Sequence, residues 1–448
     1  ARRAYMEPMQ TQEFNFIASP GGKVNGSIRV PGDKSISHRS IMLGSLAEGV
    51  TEVEGFLEGE DSLATLQAFR DMGVVIEGPH HGRVTINGVG LHGLQAPPGS
   101  LYLGNSGTSM RLLSGLLAGQ DFDTVLTGDA SLSKRPMGRV AKPLREMGAQ
   151  IDTGEEGRPP LRIKGGSRMM GMDYQMPMAS AQVKSCILLA GLYASGTTSV
   201  TEPAPTRDHT ERMLKGFGYP VKVDGATATI ESGHTLKACR IDVPADISSA
   251  AFFMVAASIC EGADLTLEHV GINPTRIGII NILRAMGGNL ELLNEREVGG
   301  EPVADIRVRY APLKGIDIPV DQVPLAIDEF PALFVAAACA EGRTILRDAE
   351  ELRVKESDRI QVMADGLQAL GVKAEPTPDG IIIDGGAIGG GSVESHGDHR
   401  IAMSFSVAAL RATGDIHIKD CANVATSFPG FIDLAQSVGM QVRLEDNA

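Results

Sequence analysis

One repeating pattern dominates this chain and limits the folds open to it. Six times, an apolar helix-like segment breaks and runs into a β-branched strand, at residues 41–53, 110–126, 183–200, 250–267, 330–345 and 401–418. Each is followed by an amphipathic stretch that ends in Gly, and these glycines lie 68 to 84 residues apart: Gly73, Gly148, Gly218, Gly287, Gly371 and Gly439. A recurring Gly at a helix C-terminus marks a repeated supersecondary unit, so the sequence predicts six copies of one unit.

Each unit is predicted to run helix, strand, helix, strand, strand. The first helices are apolar nearly all round, which indicates burial beneath sheets, and 448 residues are too many for one ordinary core. The sixth unit lacks its final strand, which residues 24–30 are predicted to supply. We therefore expect an N-terminal extension at 1–13, a discontinuous domain at 14–33 plus 243–448, and an inserted domain at 34–242. An extended solenoid is the non-enzymatic alternative.

Composition excludes several classes of function. The chain has 41 basic and 55 acidic residues, a net charge of −14, so we expect no nucleic-acid partner and no anionic membrane surface. No apolar run reaches the roughly 18 residues of a membrane span. Five cysteines without a CxxC pair predict buried, reduced thiols in a cytoplasmic protein. Residues 1–12 lack the apolar core of a secretory signal and are either an added leader or the seam of a longer polypeptide.

Residues 31–39, Pro-Gly-Asp-Lys-Ser-Ile-Ser-His-Arg, have the composition of an anion site at a helix N-terminus. Free backbone N–H groups and the positive end of the helix dipole meet there, and Lys34 and Arg39 add full charges. Cations in a first turn oppose the dipole, so a bound anion would explain them. The alternative is an N-cap followed by a solvated basic turn.

Unusual charge also precedes the other predicted helices. If the repeat places these N-termini together, they line an electropositive cleft suited to a small polyanion. Asp328 and Glu356 lie among the cations and are candidates for general base and proton shuttle. An N-cap is the alternative for Asp328–Glu329, and a cap or salt bridge is preferred for Asp358.

Weaker pattern matches do not support a nucleotide or a metal. Residues 88–93 fit GxGxxG but lead into Leu-Gln-Ala-Pro-Pro, which predicts a turn. Residues 32–35 lack the upstream glycine of a phosphate-binding P-loop. The histidines at 80, 81 and 92 show no metal-ligand spacing.

Five ordered motifs together resemble the 5-enolpyruvylshikimate-3-phosphate (EPSP) synthase family. They are residues 31–39, 103–108 (Leu-Gly-Asn-Ser-Gly-Thr), 133–137 (Ser-Lys-Arg-Pro-Met), 352–359 (Leu-Arg-Val-Lys-Glu-Ser-Asp-Arg) and 398–403 (Asp-His-Arg-Ile-Ala-Met). The resemblance covers roughly residues 14–444. It implies an α/β fold, the two-domain enolpyruvyl transferase fold or inverse α/β barrel, with six βαβαββ-type repeats, three per domain.

The resemblance also implies a reaction: the enolpyruvyl group of phosphoenolpyruvate passes to the 5-hydroxyl of shikimate 3-phosphate through a tetrahedral adduct, with release of phosphate. No metal or organic cofactor is implied, and we expect a monomer. Asp328 would accept the hydroxyl proton, and Lys34 and Glu356 would serve methylene protonation, with His399 nearby. The implied shikimate 3-phosphate ligands are Lys34, Ser35, Arg39, Ser180, Ala181, Gln182, Arg207, Asp328 and Lys355. The implied phosphoenolpyruvate ligands are Lys34, Asn105, Gly107, Arg135, Gln182, Arg359 and Arg400.

At two positions the chain differs from many relatives, and there it resembles the branch of the family that includes glyphosate-tolerant enzymes. Leu112 stands where many carry Pro, and Ala425 or Thr426 stands where many carry Lys before Thr-Phe-Pro. Gly107 remains where tolerant forms carry Ala, so it leaves space beside phosphoenolpyruvate.

Two rival functions remain. UDP-N-acetylglucosamine enolpyruvyl transferase shares the repeat fold, but its loop Cys has no counterpart in residues 127–135. The second rival is a catalytically silent polyanion-binding protein. Asp328 and Glu356 argue against it, because binding alone would not place carboxylates among the cations.

Overall fold

The computed structural model describes residues 14–446, so the predicted N-terminal extension lies outside the described residues. The chain divides into two compact units. The C-terminal unit contains the residues up to Pro31, then Ala245–Glu295 and the chain from Ala304 onward. The inserted unit contains Gly32–Pro244 and a hairpin tip, Arg296–Val303. The predicted crossings lie at 33/34 and 242/243, and the hairpin tip has no counterpart among the predicted domain bounds.

The strands are short, and most have five residues or fewer. In chain order they are β1 (Phe16–Ser19), β2 (Asn25–Ile28), β3 (Val50–Glu54), β4 (Val75–His80), β5 (Arg83–Asn87), β6 (Leu101–Tyr102), β7 (Thr124–Thr127), β8 (Ile151–Asp152), β9 (Leu161–Ile163), β10 (Asp173–Gln175), β11 (Thr197–Thr201), β12 (Lys222–Asp224), β13 (Thr227–Glu231), β14 (Arg240–Asp242), β15 (Asp264–Gly271), β16 (Asn289–Val298), β17 (Glu301–Arg309), β18 (Arg343–Leu346), β19 (Lys373–Thr377), β20 (Gly380–Asp384), β21 (Gly391–Glu394), β22 (Ile416–Lys419) and β23 (Gln441–Leu444).

The helices alternate with these strands. They are α1 (Lys34–Leu46), α2 (Glu60–Asp71), α3 (Gly107–Ala118), α4 (Gly138–Glu146), α5 (Ala181–Gly191), α6 (His209–Gly216), α7 (Ile247–Ile259), α8 (Gly278–Ala285), α9 (Phe330–Cys339), α10 (Arg359–Ala369), α11 (His399–Ala408), α12 (Val424–Ser427) and α13 (Phe431–Val438).

Six small sheets confirm the six predicted units. Among the described residues the sheet orders are β14-β3-β5-β4, β6-β7-β9-β8 and β10-β11-β13-β12 in the inserted unit, and β16-β17-β15-β2, β18-β20-β19 and β21-β22-β1-β23 for the C-terminal unit. In β6-β7-β9-β8, for example, the strand between the two helices, β7, pairs parallel with β6 and antiparallel with β9. Five of these sheets include a parallel pair of strands, whereas the strands of β18-β20-β19 pair only antiparallel.

The prediction for the N-terminal strand was wrong. β1, not residues 24–30, completes the sixth unit, where it pairs antiparallel with both β22 and β23. β2 pairs parallel with β15 of the fourth unit instead. The burial of the two strands explains the exchange: the first three residues of β1 are buried, as suits a central strand, whereas the first three of β2 are exposed at a sheet edge.

The first helix of each unit is buried, as predicted. Every residue of α7 is buried, and α7, α9 and α11 pack against one another in the C-terminal unit. In the inserted unit α3 packs against α5. Side chains cap five of these helices by accepting backbone N–H bonds at their first turns. The capping residues are Asp33, Ser106, Ser180, Asp246 and Asp398.

Two further predictions concern cysteines and membranes. All five cysteines, each within the described part of the chain, are free thiols. Cys186, Cys260 and Cys421 are buried as predicted, whereas Cys239 and Cys339 are only partly buried. Burial raises the pKa of the Cys186 thiol, which keeps it protonated and unreactive. None of the helices in residues 14–446 is both long and apolar enough to span a membrane.

Candidate active site

Lys34 begins α1 and presents its charge to solvent. Its side chain is 53% exposed, and its ammonium group pairs with the carboxylate of Asp61 in the first turn of α2. Ser35 follows it and is partly buried. Lys34 is therefore held by a fixed acid and remains accessible to a ligand.

Arg39 lies one turn further along α1 and is buried. It donates from Nε to Thr210 Oγ1 at 2.8 Å, from Nη1 to the Ser35 carbonyl at 3.0 Å and from Nη2 to Ser185 Oγ at 3.1 Å. Burial is the main cause that lowers its pKa, to about 10. Arg207, in the loop between β11 and α6, is partly buried and contributes repulsion to Arg39. Much of the Arg39 guanidinium is thus committed to contacts inside the inserted unit.

A second cluster of cations surrounds Gly107 at the start of α3. A Cβ at this glycine would lie 2.8 Å from Arg111 Nη1 and 3.0 Å from Arg135 Nη1. Arg135 donates from Nη2 to Asn105 Oδ1 at 2.8 Å, and Asn105 donates from Nδ2 to Asp129 Oδ2 at 3.1 Å. Burial, followed by repulsion from Arg135 and Arg139, lowers the pKa of Arg111. An anion bound at this helix end would relieve that repulsion.

The start of α5 joins the same cluster through Gln182. Its side chain accepts from Arg111 Nη1 at 2.7 Å and donates to Thr108 Oγ1 at 3.0 Å. Ser180 caps α5, and Ala181 is the first residue of the helix. The structure therefore brings the predicted residues Asn105, Gly107, Arg135 and Gln182 together around Arg111.

Arg359 organises the candidate residues of the C-terminal unit. This first residue of α10 is 1% exposed, donates from Nε to Asp398 Oδ2 at 2.9 Å and from Nη2 to Glu356 Oε2 at 2.6 Å. Its Nη1 lies 3.9 Å from Asp328 Oδ1, and Lys355 Nζ lies 3.8 Å from the same oxygen. Asp328 therefore faces two cations, while Glu356, 56% exposed, remains open to solvent.

Asp398 fixes Arg359 and Ser357 through hydrogen bonds. It is fully buried, accepts from Ser357 Oγ at 2.8 Å and caps α11 by accepting from the backbone N–H of Arg400 at 3.0 Å. Burial on its own would raise the pKa of Asp398, but the attraction and hydrogen bond of Arg359 outweigh it, so the pKa falls below its ordinary value. Asp398 is ionised at neutral pH and fixes Arg359.

His399 and Arg400 begin α11 beside these groups. Burial, with repulsion from Arg400, lowers the pKa of His399 to about 4, so its imidazole is neutral at physiological pH. Burial would lower the pKa of Arg400, but the attraction of Asp328 and Asp246 prevails and raises it. Arg400 is therefore a permanent cation near Asp328.

The structure decides between the alternatives for the acidic residues. Asp358 caps α10 by accepting from the Gln361 N–H at 3.1 Å and also accepts from Arg353 at 2.8 Å, so the preferred prediction for it is confirmed. Asp328 lies in a short 3₁₀ turn before α9, and Glu329 at the N-cap position makes no side-chain cap bond. The N-cap interpretation of Asp328–Glu329 was therefore wrong.

Three residues that shape the site received no role from sequence reasoning. Arg111 lies four residues after Gly107, so a helical wheel on α3 would have placed it beside that glycine. Asp398 belongs to the motif at residues 398–403, but the sequence did not predict its contact with Arg359. Asp61 carried only the weak signal of an acidic helix start.

One group of side chains in the described residues could hold a cation. Carboxylate oxygens of Asp348, Glu350 and Asp379 lie within 4.8 Å of one another. Such acidic groups are common on protein surfaces without an ion, and none of the three belongs to the candidate site.

We predict that Asp398→Asn lowers the free energy of unfolding by about 3 kcal/mol, because it leaves the buried Arg359 without its counter-ion. The folded pKa of Asp398 lies below its unfolded value, so its stabilisation is present above about pH 4 and is lost as the pH falls through the folded pKa. Urea unfolding of both proteins from pH 7 to pH 3 should show the difference shrinking with acidity.

Asp384→Asn is the matched control, since Asp384 pairs with Arg343 at the surface. It should change stability little at any pH. An Asp398→Asn difference that stays constant down to pH 3 would contradict the ionised, Arg359-bound carboxylate.

Comparison with known proteins agrees with this geometry. The profile of the family described as EPSP synthase (3-phosphoshikimate 1-carboxyvinyltransferase) matches residues 18–434. A protein of Methylococcus capsulatus named 3-phosphoshikimate 1-carboxyvinyltransferase is 70% identical over 97% of this chain and 100% of its own length. One of the same name from Alkalilimnicola ehrlichii is 68% identical over 97% of each chain.

A solved structure shows the same fold. The EPSP synthase of Acinetobacter baumannii superposes with a TM-score of 0.95 at 63% identity and covers 97% of this chain and 100% of that chain. Family profile, full-length relatives and fold thus agree with the helix-end cations and carboxylates described above: this chain belongs to the EPSP synthase family.

Proposed function

We propose that this chain transfers the enolpyruvyl group of phosphoenolpyruvate to the 5-hydroxyl of shikimate 3-phosphate and releases phosphate. This is a 3-phosphoshikimate 1-carboxyvinyltransferase reaction, a step of the shikimate pathway towards chorismate and the aromatic amino acids. The observation that carries the proposal is the cluster around Arg359, where Asp328 and Glu356 lie beside Arg359, Lys355 and Arg400. Binding an anion needs the cations alone, whereas moving protons also needs the acids.

The ligand assignments follow the family resemblance. For shikimate 3-phosphate we propose Lys34, Ser35, Arg39, Ser180, Ala181, Gln182, Arg207, Asp328 and Lys355. For phosphoenolpyruvate we propose Lys34, Asn105, Gly107, Arg135, Gln182, Arg359 and Arg400. The cluster of Arg111, Arg135 and Gln182 around Gly107 supports an anion subsite in the inserted unit, since the guanidinium groups repel one another there.

The proposed chemistry divides the protons between two groups of residues. Protonation of the phosphoenolpyruvate methylene, served by Lys34 and Glu356, leaves positive charge at the central carbon. Asp328 takes the proton from the 5-hydroxyl as its oxygen bonds to that carbon, which gives the tetrahedral adduct. Loss of phosphate and of a methyl proton then restores the double bond. Fixed carboxylates stabilise the cationic carbon, and neutral His399 lies at the start of α11 beside this site.

Further proposals concern the branch of the family, the cellular location and the oligomeric state. Leu112 and the Ala425–Thr426 position support a place in the branch that includes glyphosate-tolerant enzymes. We also propose a cytoplasmic monomer in which the C-terminal and inserted units are the two catalytic domains. We further propose that residues 1–13 are the seam of a longer fused polypeptide. The mass of the native product tests this.

We predict that the purified chain releases phosphate from phosphoenolpyruvate only when shikimate 3-phosphate is present. The physical reason is that the acceptor hydroxyl is needed to form the adduct from which phosphate leaves. A continuous phosphate assay with each substrate alone and with both measures this. Release with UDP-N-acetylglucosamine in place of shikimate 3-phosphate would overturn the assignment.

We predict that Asp328→Asn binds both substrates but loses turnover by about 10²- to 10⁴-fold, the contribution typical of a general base. Calorimetric binding and single-turnover rates separate the two effects. Asp321→Asn, an exposed carboxylate of the same unit, is the control and should retain full activity. Full turnover in Asp328→Asn would falsify the role of Asp328.

We predict that Gly107→Ala weakens glyphosate inhibition by at least about tenfold, because the new methyl group would force the ends of Arg111 and Arg135 to move. Inhibition curves at fixed phosphoenolpyruvate measure the change. Gly138→Ala is matched to it, since a Cβ there meets no atom within 4 Å. Equal inhibition of Gly107→Ala and the parent would show that the pocket is shaped by other residues.

A further inference from the structure

A buried chain of polar side chains links three helices of the inserted unit. We call it the three-helix network: His38 of α1, Thr65 of α2, and Ser106 and Ser109 at the start of α3. His38 Nδ1 lies 2.8 Å from Thr65 Oγ1 and 3.2 Å from Ser109 Oγ. Thr65 Oγ1 lies 2.5 Å from Ser109 Oγ, which lies 2.8 Å from Ser106 Oγ. All four side chains are at most 2% exposed.

Apart from the longer 3.2 Å contact between His38 Nδ1 and Ser109 Oγ, the hydrogen bonds of the network can be made with one direction of donation. Ser106 accepts from the Ser109 N–H at 3.0 Å and donates to Ser109 Oγ. Ser109 can then donate to Thr65, and Thr65 to the Asp61 carbonyl at 3.5 Å. His38 completes the set if its proton is on Nδ1 and is donated to Thr65 Oγ1.

The ring of His38 is neutral in this setting. Burial, then repulsion from Lys34 and Arg39, lowers its pKa to about 3. Its Nε2 is buried and has no hydrogen-bond partner among the described residues, so a proton there would be costly. The Nδ1–H form is therefore the favoured tautomer.

The network lies one helical turn beneath the candidate anion site. His38 follows Lys34 by four residues on α1, and Thr65 follows Asp61 by four residues on α2, so the Lys34–Asp61 pair sits above the His38–Thr65 bond. On α3, Ser106 caps the helix and Ser109 flanks Gly107. The two ends of the network are thus the helix start with Lys34 and the helix start with Gly107.

We propose that His38 is a positioning residue for phosphoenolpyruvate: through Thr65 and Ser109 it fixes the start of α3, and so Gly107 and its arginines, against the start of α1 and Lys34. This rests on the proposed function. Misplacing one cationic helix end by a fraction of an ångström weakens contacts made by several donors at once. The network therefore sets affinity for phosphoenolpyruvate and takes no part in proton transfer.

The test compares three single variants of the full chain. His38→Leu removes the Nδ1–H donor, and His38→Asn keeps a donor near that position. Ser114→Ala is the control, because Ser114 is a buried hydroxyl on the same helix that bonds the Met110 carbonyl of its own α3. For each we measure kcat, both KM values, the Tm and calorimetric binding of phosphoenolpyruvate in the presence of shikimate 3-phosphate.

We predict that His38→Leu raises the KM and the Kd for phosphoenolpyruvate about tenfold, a loss of about 1.4 kcal/mol of binding, with kcat and the KM for shikimate 3-phosphate within about twofold. His38→Asn should return both values to within about threefold of the parent. Ser114→Ala should not raise the KM, because its hydroxyl bonds only within α3. Ser109→Ala should raise the KM as His38→Leu does, and the double variant should add little to either.

A purely structural role would give other results. Unchanged phosphoenolpyruvate affinity in His38→Leu, equal effects in Ser114→Ala, or additive effects in the double variant would each overturn the proposal. If His38→Leu does not fold, Ser109→Ala breaks the same network at α3, and its KM for phosphoenolpyruvate tests the proposal instead. Failure of the parent chain to turn over would refute the proposed function, whereas the binding measurements would still report on His38.

Discussion

Cations at helix N-termini are the constraint on which the candidate site depends in both units. The first turn of a helix already carries unpaired N–H groups and the positive end of the dipole, so a basic first residue is unfavourable there. Lys34 begins α1 and Arg359 begins α10. Each is offset by a carboxylate from another element, Asp61 for Lys34 and Asp398 for Arg359. The helices can therefore form while their ends still attract an anion.

Burial separates the acids of the C-terminal unit into two kinds. Asp398 has no exposed surface, bonds Arg359 and Ser357 and caps α11, so it holds the site in place. Asp328 and Glu356 are 20% and 56% exposed, so they remain accessible to solvent. A buried carboxylate that accepts several hydrogen bonds is costly to protonate. Position along the chain does not distinguish the two kinds, because all of them lie near helix starts.

Structural features that are encoded by long sequence patterns were predicted correctly, whereas features that depend on a few residues were not. The glycine period extends over the whole chain, so six units and buried first helices were predictable. β1 and β2 have four residues each, and a pattern of that length cannot show which of them is central, so their sheets were exchanged. The site residues within motifs were assigned through the resemblance and stay predictions. The Asp398 contact with Arg359 was missed because 39 residues of sequence separate them, and only the folded chain shows that they meet.

The central claim is that helix-end cations, fixed by neighbouring acids, receive the substrate anions. A crystal structure of the Asp328→Asn variant with phosphoenolpyruvate and shikimate 3-phosphate tests it most directly, since slow turnover allows both to be seen. The account predicts phosphoenolpyruvate oxygens within about 3 Å of Lys34, Arg135, Arg359 and Arg400, with Asp398 still bonded to Arg359. Phosphoenolpyruvate bound away from these four cations would contradict it.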